Sequence, residues 1–150
     1  MGNLKNRLSE NLLIDALSEY YKKRNMEVYL EVPFLSRFID IIITDKSKKE
    51  IFAIEAKISW WDKVIDQAKL TLLGVDKAYI AMPASKMKLL NRYENILSDY
   101  GIGVISIECS ATNPKIEIVI PASKSTYKSI HRENELIKII EDGIYLCPKI

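Results

Sequence analysis

The chain has 150 residues, 48% of them apolar and 28% charged, with 22 Lys and Arg against 20 Asp and Glu for a formal charge of +2. That suits one globular domain, not a disordered or fibrous chain, and leaves any basic surface to local clustering. No apolar run approaches the roughly 18 residues that span a bilayer, the N-terminus lacks the apolar core of a signal peptide, and Cys109 and Cys147 are too few for a zinc site or disulfide framework, so an intracellular, cytoplasmic protein with no membrane partner and two small buried thiols is expected.

Residues 3–24 carry Leu4, Leu8, Leu12, Leu13, Ala16, Leu17, Tyr20 and Tyr21 at helical spacing, which predicts a largely buried helix. Glu10 lies three residues before Leu13 and seven before Leu17, on their face, so it is either an ion-paired glutamate or an acid belonging to a site. The exit through Lys22, Lys23 and Arg24 complements the carbonyl end of the helix dipole. Glu27 to Val32 alternates as a first strand, and Pro33 ends it or marks a sheet edge.

The next stretch, Arg37 to Lys57, reads as two apolar strands joined by the charged turn Asp45, Lys46, Ser47, Lys48, Lys49. Each strand carries one acid near its inner end, Asp40 and Glu55. With the turn centred between Ser47 and Lys48, antiparallel counting sets Thr44 opposite Ile51 and Asp40 opposite Glu55, with Cβ atoms roughly 5 Å apart. Two carboxylates at that range repel unless a cation lies between them or one is protonated, and a hard divalent ion suits them. Strand alternation puts Glu55 and Lys57 on one face with Ala56 pointing away.

From Ser59 the period is helical, burying Trp61, Val64, Ile65, Ala68 and Leu72, with Gly74 closing the helix and Gln67 at the border of its apolar face. Gln67 is there as a satisfied edge amide or as a site residue, and Trp60 and Trp61 serve as core packing or as a stacking surface for a base. Asp76 to Met82 is a buried strand ended by Pro83, residues 84–99 form a helix, and Val104–Ile107 and Lys115–Ile120 are strands. Ser123 to Asp142 reads as a last helix docked by Ile130, Ile137 and Ile140, on which Lys124, Lys128 and Arg132 fall at i, i+4 and i+8 as a basic ridge. That ridge is a solvated face or a phosphate-backbone contact, and His131, the lone histidine, reads as a surface residue. The element order α-β-β-β-α-β-α-β-β, closed by a helix, predicts an α/β domain with a mixed sheet covered by helices on both faces.

An acid on one strand and Glu55-Ala56-Lys57 on the next resemble the PD-(D/E)XK nuclease superfamily, over about residues 3–108. Glu10 matches the extra acid many members place on the opening helix, and Gln67-Ala68 resembles a glutamine that several branches use near the site. One branch carries a tyrosine four places after that glutamine, where this chain has Thr71, so no branch is assigned. The resemblance implies a restriction-endonuclease-like core and a nuclease, expected to act on DNA, in which Asp40, Glu55 and the Ala56 carbonyl hold Mg²⁺ or Mn²⁺ with Glu10 completing or tuning the shell. Lys57 would orient or activate the attacking water and offset charge on the phosphate. A homodimer is the expected assembly on duplex substrates. The alternative is a non-catalytic nucleic-acid-binding or assembly module in which Asp40, Glu55 and Lys57 form a buried ion-pair cluster. A small-molecule α/β enzyme is disfavoured, since Gly101-Ile102-Gly103 does not continue to a third glycine.

Overall fold

The computed structural model of the chain describes residues 2–59, 61–109 and 113–148, with side chains from residue 10 onward. The elements are α1 (Gly2–Lys22), β1 (Glu27–Phe34), β2 (Arg37–Thr44), β3 (Ile51–Ala56), α2 (Trp61–Thr71), β4 (Lys77–Pro83), a 3₁₀ segment (Ala84–Arg92), α3 (Glu94–Tyr100), β5 (Gly103–Glu108), β6 (Lys115–Ile120) and α4 (Ile130–Glu141). The strands form a six-stranded mixed sheet in sequence order, β1-β2-β3-β4-β5-β6. Pairing is antiparallel from β1 to β3 and between β5 and β6, and parallel from β3 to β5. None of the described helices is long and apolar enough to cross a membrane.

Each sheet face is covered. On one face α1 presents Leu13, Ala16 and Leu17 to Ile41, Ile43 and Ile54. On the other, α2, the 3₁₀ segment, α3 and α4 share a core with Ile39, Ile42, Ala53 and Ile80. The α1 contact is one stripe and not most of the circumference, since Leu12 is 55% exposed. Leu4 and Leu8 fall outside the described side chains.

The predicted hairpin register is present, with Thr44 opposite Ile51 and Ile41 opposite Ile54. The β1–β2 hairpin is kinked beside it. Its ladder pairs Leu30 with Ile41 and Val32 with Ile39, leaving out Glu31 and Asp40, and Glu31 has φ of 49°. Ile39 and Ile41, two residues apart, therefore enter opposite core layers, whereas strict alternation would put them on one face. A local irregularity of this kind re-aims a side chain. The residue displaced is Ile39, which leaves the α1 layer of Ile41 and Ile43 for the opposite one, while Asp40 keeps the face of Ile42. At the hairpin tip Leu35 and Ser36 have φ of 51° and 62°, the pattern of a type I′ turn, which delivers Arg37 opposite Phe34 at the start of β2. Pro33 lies within β1, tolerated because this strand is at the sheet's edge.

Several sequence expectations are corrected. The helix expected over 84–99 is a 3₁₀ segment followed by a short α-helix, because Met87, Leu90 and Tyr93 recur every third residue and a 3₁₀ turn stacks that spacing against the core. Gly74 has no left-handed φ; a Cβ there would come 2.7 Å from the Phe34 ring. Cys109 is exposed, past the end of β5, and not buried. The last helix begins at Ile130, not Ser123, so Lys124, Lys128 and Arg132 do not form a helical ridge, and Ile130 is 69% exposed. Residues 123–129 instead make an extended strap over the corner after α2. The Ser125 hydroxyl donates to the Leu72 carbonyl (2.8 Å) and the Ser129 N–H to the Leu73 carbonyl (2.9 Å), satisfying acceptors that a helix end leaves open. The Ser125 N–H donates to the carbonyl of Asp76 (2.7 Å). Serines bonded this way hold backbone out of a helix.

Candidate active site

The site lies at the C-terminal end of β3, on the side of the sheet where open α/β folds accept ligands. At that end the β2–β3 ladder stops at Ile41 and Ile54, and the Asp40 carboxylate takes over as acceptor: the Ala56 N–H donates to its Oδ2 at 2.8 Å. Glu55 is 1% exposed, and its carboxyl accepts from Nη2 of Arg37 at 3.0 Å. The Arg37 Nη1 donates to the Gln67 carbonyl on α2 at 3.2 Å, so the guanidinium ties β2 to β3 and α2.

Burial, the largest effect on both acids, raises their pKa values, because taking a carboxylate out of water disfavours its charge. Asp40 is raised despite the opposing Ala56 N–H, Lys57 and Arg37. Glu55 is pushed up to about 8, by burial first and by the negative charge of Asp40 second, with Arg37 pulling the other way. A protonated Glu55 donates to Asp40, which raises the one and lowers the other. The Arg37 guanidinium opposes this rise without cancelling it, because burial is the larger effect.

Lys57 follows β3, its N–H bonded to the Ala81 carbonyl of β4. Its ammonium does not lie on Glu55. It pairs with Glu10 of α1 at 3.8 Å, and its charge acts on Asp40. Glu10, Asp40, Glu55 and Lys57 therefore gather at one end of the sheet, reached from α1, β2 and β3. Gln67 meets the site through its backbone carbonyl. Trp61 is core, 3% exposed and stacked on Tyr93 with ring centroids 5.2 Å apart. Trp60 lies outside the described residues.

The expected basic surface is dispersed. Lys128 is held by Asp76 and Glu133, both at 2.6 Å, and these partners raise its pKa. Arg132 pairs with Glu135 at 3.2 Å, and Lys124 is exposed on the strap. His131 is exposed, as expected. Sequence reasoning missed Arg37, for which a signal existed: an arginine inside an apolar strand needs a partner as much as an acid does. Asp76, 3% exposed, was also missed.

Asp40 and Glu55, in contact at the end of β3, offer hard oxygen donors of the kind a divalent cation takes once both are ionised. Among the described residues no group of three or more His, Cys, Asp or Glu side chains is placed to hold a metal ion, so protein ligation would come from the two acids and backbone oxygen, with water filling the shell. Comparison of the chain with protein-family models, curated proteins and solved structures returns no significant match.

Proposed function

We propose that the chain is a metal-dependent nuclease of the PD-(D/E)XK type on a restriction-endonuclease-like core, hydrolysing phosphodiester bonds in nucleic acid, with DNA as substrate. The observation that carries this reading is the contact of the buried Glu55 with the half-buried Asp40 of the adjacent strand, with Lys57 next to them at the end of β3. Asp40, Glu55 and the Ala56 carbonyl would hold Mg²⁺ or Mn²⁺, which when bound supplies polarisation of the phosphate and a water of lowered pKa. Asp40 is oriented by the Ala56 N–H, and Glu55 is oriented by Arg37, which Gln67 anchors. Lys57, paired with Glu10, would hold the attacking water and offset charge as the bond to the leaving oxygen lengthens. One site per chain cuts one strand, so a homodimer is the assembly proposed for duplex substrates.

The test is a panel of labelled single-strand, duplex, flap and junction substrates with Mg²⁺, Mn²⁺ or chelator. Cleavage is expected only with the ion and is abolished in Asp40→Asn and Glu55→Gln. Activity that persists in excess chelator would refute the reading.

One observation favours a second reading, a non-catalytic nucleic-acid-binding module: Arg37 already pairs with Glu55, so the cluster has a counter-charge of its own. Absence of Mn²⁺ binding by the parent chain, with nucleic-acid binding intact, would select it.

A further inference from the structure

We infer that Arg37 is a resident counter-ion which occupies Glu55 until a divalent cation displaces it. This rests on the metal-dependent reading above and adds a step of exchange to it. Glu55 is almost wholly buried, and its ion pair among the described residues is with Arg37, not with the lysine of its own motif. An arriving dication needs that same carboxylate, and a guanidinium bonded to it at 3.0 Å both blocks one oxygen and repels the ion.

The geometry gives Arg37 the means to leave. Its attachment is two single hydrogen bonds from different nitrogens, to Glu55 and to the Gln67 carbonyl, and not a two-pronged grip on one carboxylate. Its side chain is 19% exposed, so it stands at the mouth of the site. On its outer side an open cleft of about 420 Å³ is lined by Pro33, Ser36, Phe38 and Glu135 together with Arg37 itself. A guanidinium released from Glu55 can swing into that cleft, toward the exposed carboxylate of Glu135, which it would share with Arg132, while its position at the start of β2 stays fixed by the hairpin turn. In the metal-free protein Arg37 thus prevents the buried acids from standing uncompensated, and in the loaded protein it makes way.

The experiment measures Mn²⁺ affinity by the electron paramagnetic resonance signal of free Mn²⁺, and melting temperature with and without Mn²⁺, on the parent chain, Arg37→Met, Arg37→Gln and Glu55→Gln. Arg37→Met should bind Mn²⁺ at least about tenfold more tightly than the parent, since a competing unit charge is gone. Its melting temperature should drop without metal and rise with Mn²⁺ by more than the parent's does. Arg37→Gln, which can still donate a neutral hydrogen bond to Glu55, carries the same test should Arg37→Met fail to fold. Variants that bind Mn²⁺ at or below the parent's affinity would overturn the exchange while leaving metal binding intact. A parent chain that binds no Mn²⁺, indistinguishable from Glu55→Gln, would remove the exchange and the metal-dependent reading together.

Discussion

Two carboxyls in contact inside a protein titrate against each other, and the direction of that effect sets how stability depends on pH. The folded pKa of Glu55, about 8, lies above its ordinary value of 4.5, so the folded chain keeps a proton that the unfolded chain gives up in this interval. The resulting stabilisation is full below about 4.5 and is lost as pH rises through 8, at up to about 1.4 kcal/mol per pH unit; Asp40 shifts in the same direction. Urea unfolding of metal-free protein should therefore give lower stability at pH 8 than at pH 5, and a flat or rising profile would contradict the burial argument. Lys57 makes a separate prediction. Its pair with Glu10 is partly exposed, so Lys57→Ala should cost no more than about 1 kcal/mol of stability. On the proposed nuclease reading, the rate of cleavage should nevertheless fall about 10²–10³-fold with Mn²⁺ affinity retained, because the variant would lose a donor to developing charge and keep the proposed metal ligands. Rate, affinity and melting temperature on this one variant separate a catalytic lysine from an ion-pair partner.

Among the elements, the strap over residues 123–129 changes what the basic residues can do. Lys128 spends its charge on Asp76 and Glu133, so Lys128→Gln should leave the salt slope of DNA binding unchanged, whereas each cation that meets a phosphate contributes about 0.9 to that slope. The same residue's partner matters more for folding. The Asp76 carboxylate accepts from the Ile51 N–H at 2.8 Å and from Lys128, joining the starts of β3 and β4 to the strap. Asp76→Ala orphans a buried N–H and leaves Lys128 with Glu133 alone, and should cost about 1–3 kcal/mol in urea unfolding. A loss below 1 kcal/mol would show that the strap holds without this node. The kinked β1–β2 hairpin is the other element of consequence, since the irregularity at Glu31 turns Ile39 into the layer opposite Ile41, beside the position from which Asp40 accepts from the Ala56 N–H.

At the level of the whole molecule, a mixed sheet covered on both faces leaves the acids at one end of β3, where α1 supplies Glu10 from one face and α2 supplies the Gln67 carbonyl from the other. Acids and lysine are thus drawn from elements that pack only when both layers close, and local unfolding of either helix should disable the site before it disrupts the sheet. On the proposed nuclease reading, a single site in a chain of 17.2 kDa would not cut both strands in one encounter, so light scattering with duplex substrate should give the mass of two chains. A monomer mass with and without substrate would restrict the protein to single-strand cuts.

The two-faced sheet, most of the element order and the nearness of Asp40 to Glu55 were legible in the chain because they rest on short-range rules. Hydrophobic period separates helix from strand, and a hairpin with a brief charged turn leaves little freedom of register, so Thr44 meets Ile51 where counting puts it. Other features depended on contacts between distant residues. The serines that keep 123–129 out of a helix do so by reaching carbonyls of the α2 corner, 53 residues away in the case of Ser125 and Leu72, and only the closed sheet brings them together. Lys57 leans toward Glu10 and leaves Glu55 to Arg37 because side chains past a strand's end no longer obey its alternation and take the nearest available charge. Pattern along the chain determined which residues could form a site; the packing of α1 and α2 on opposite faces decided which of them touch.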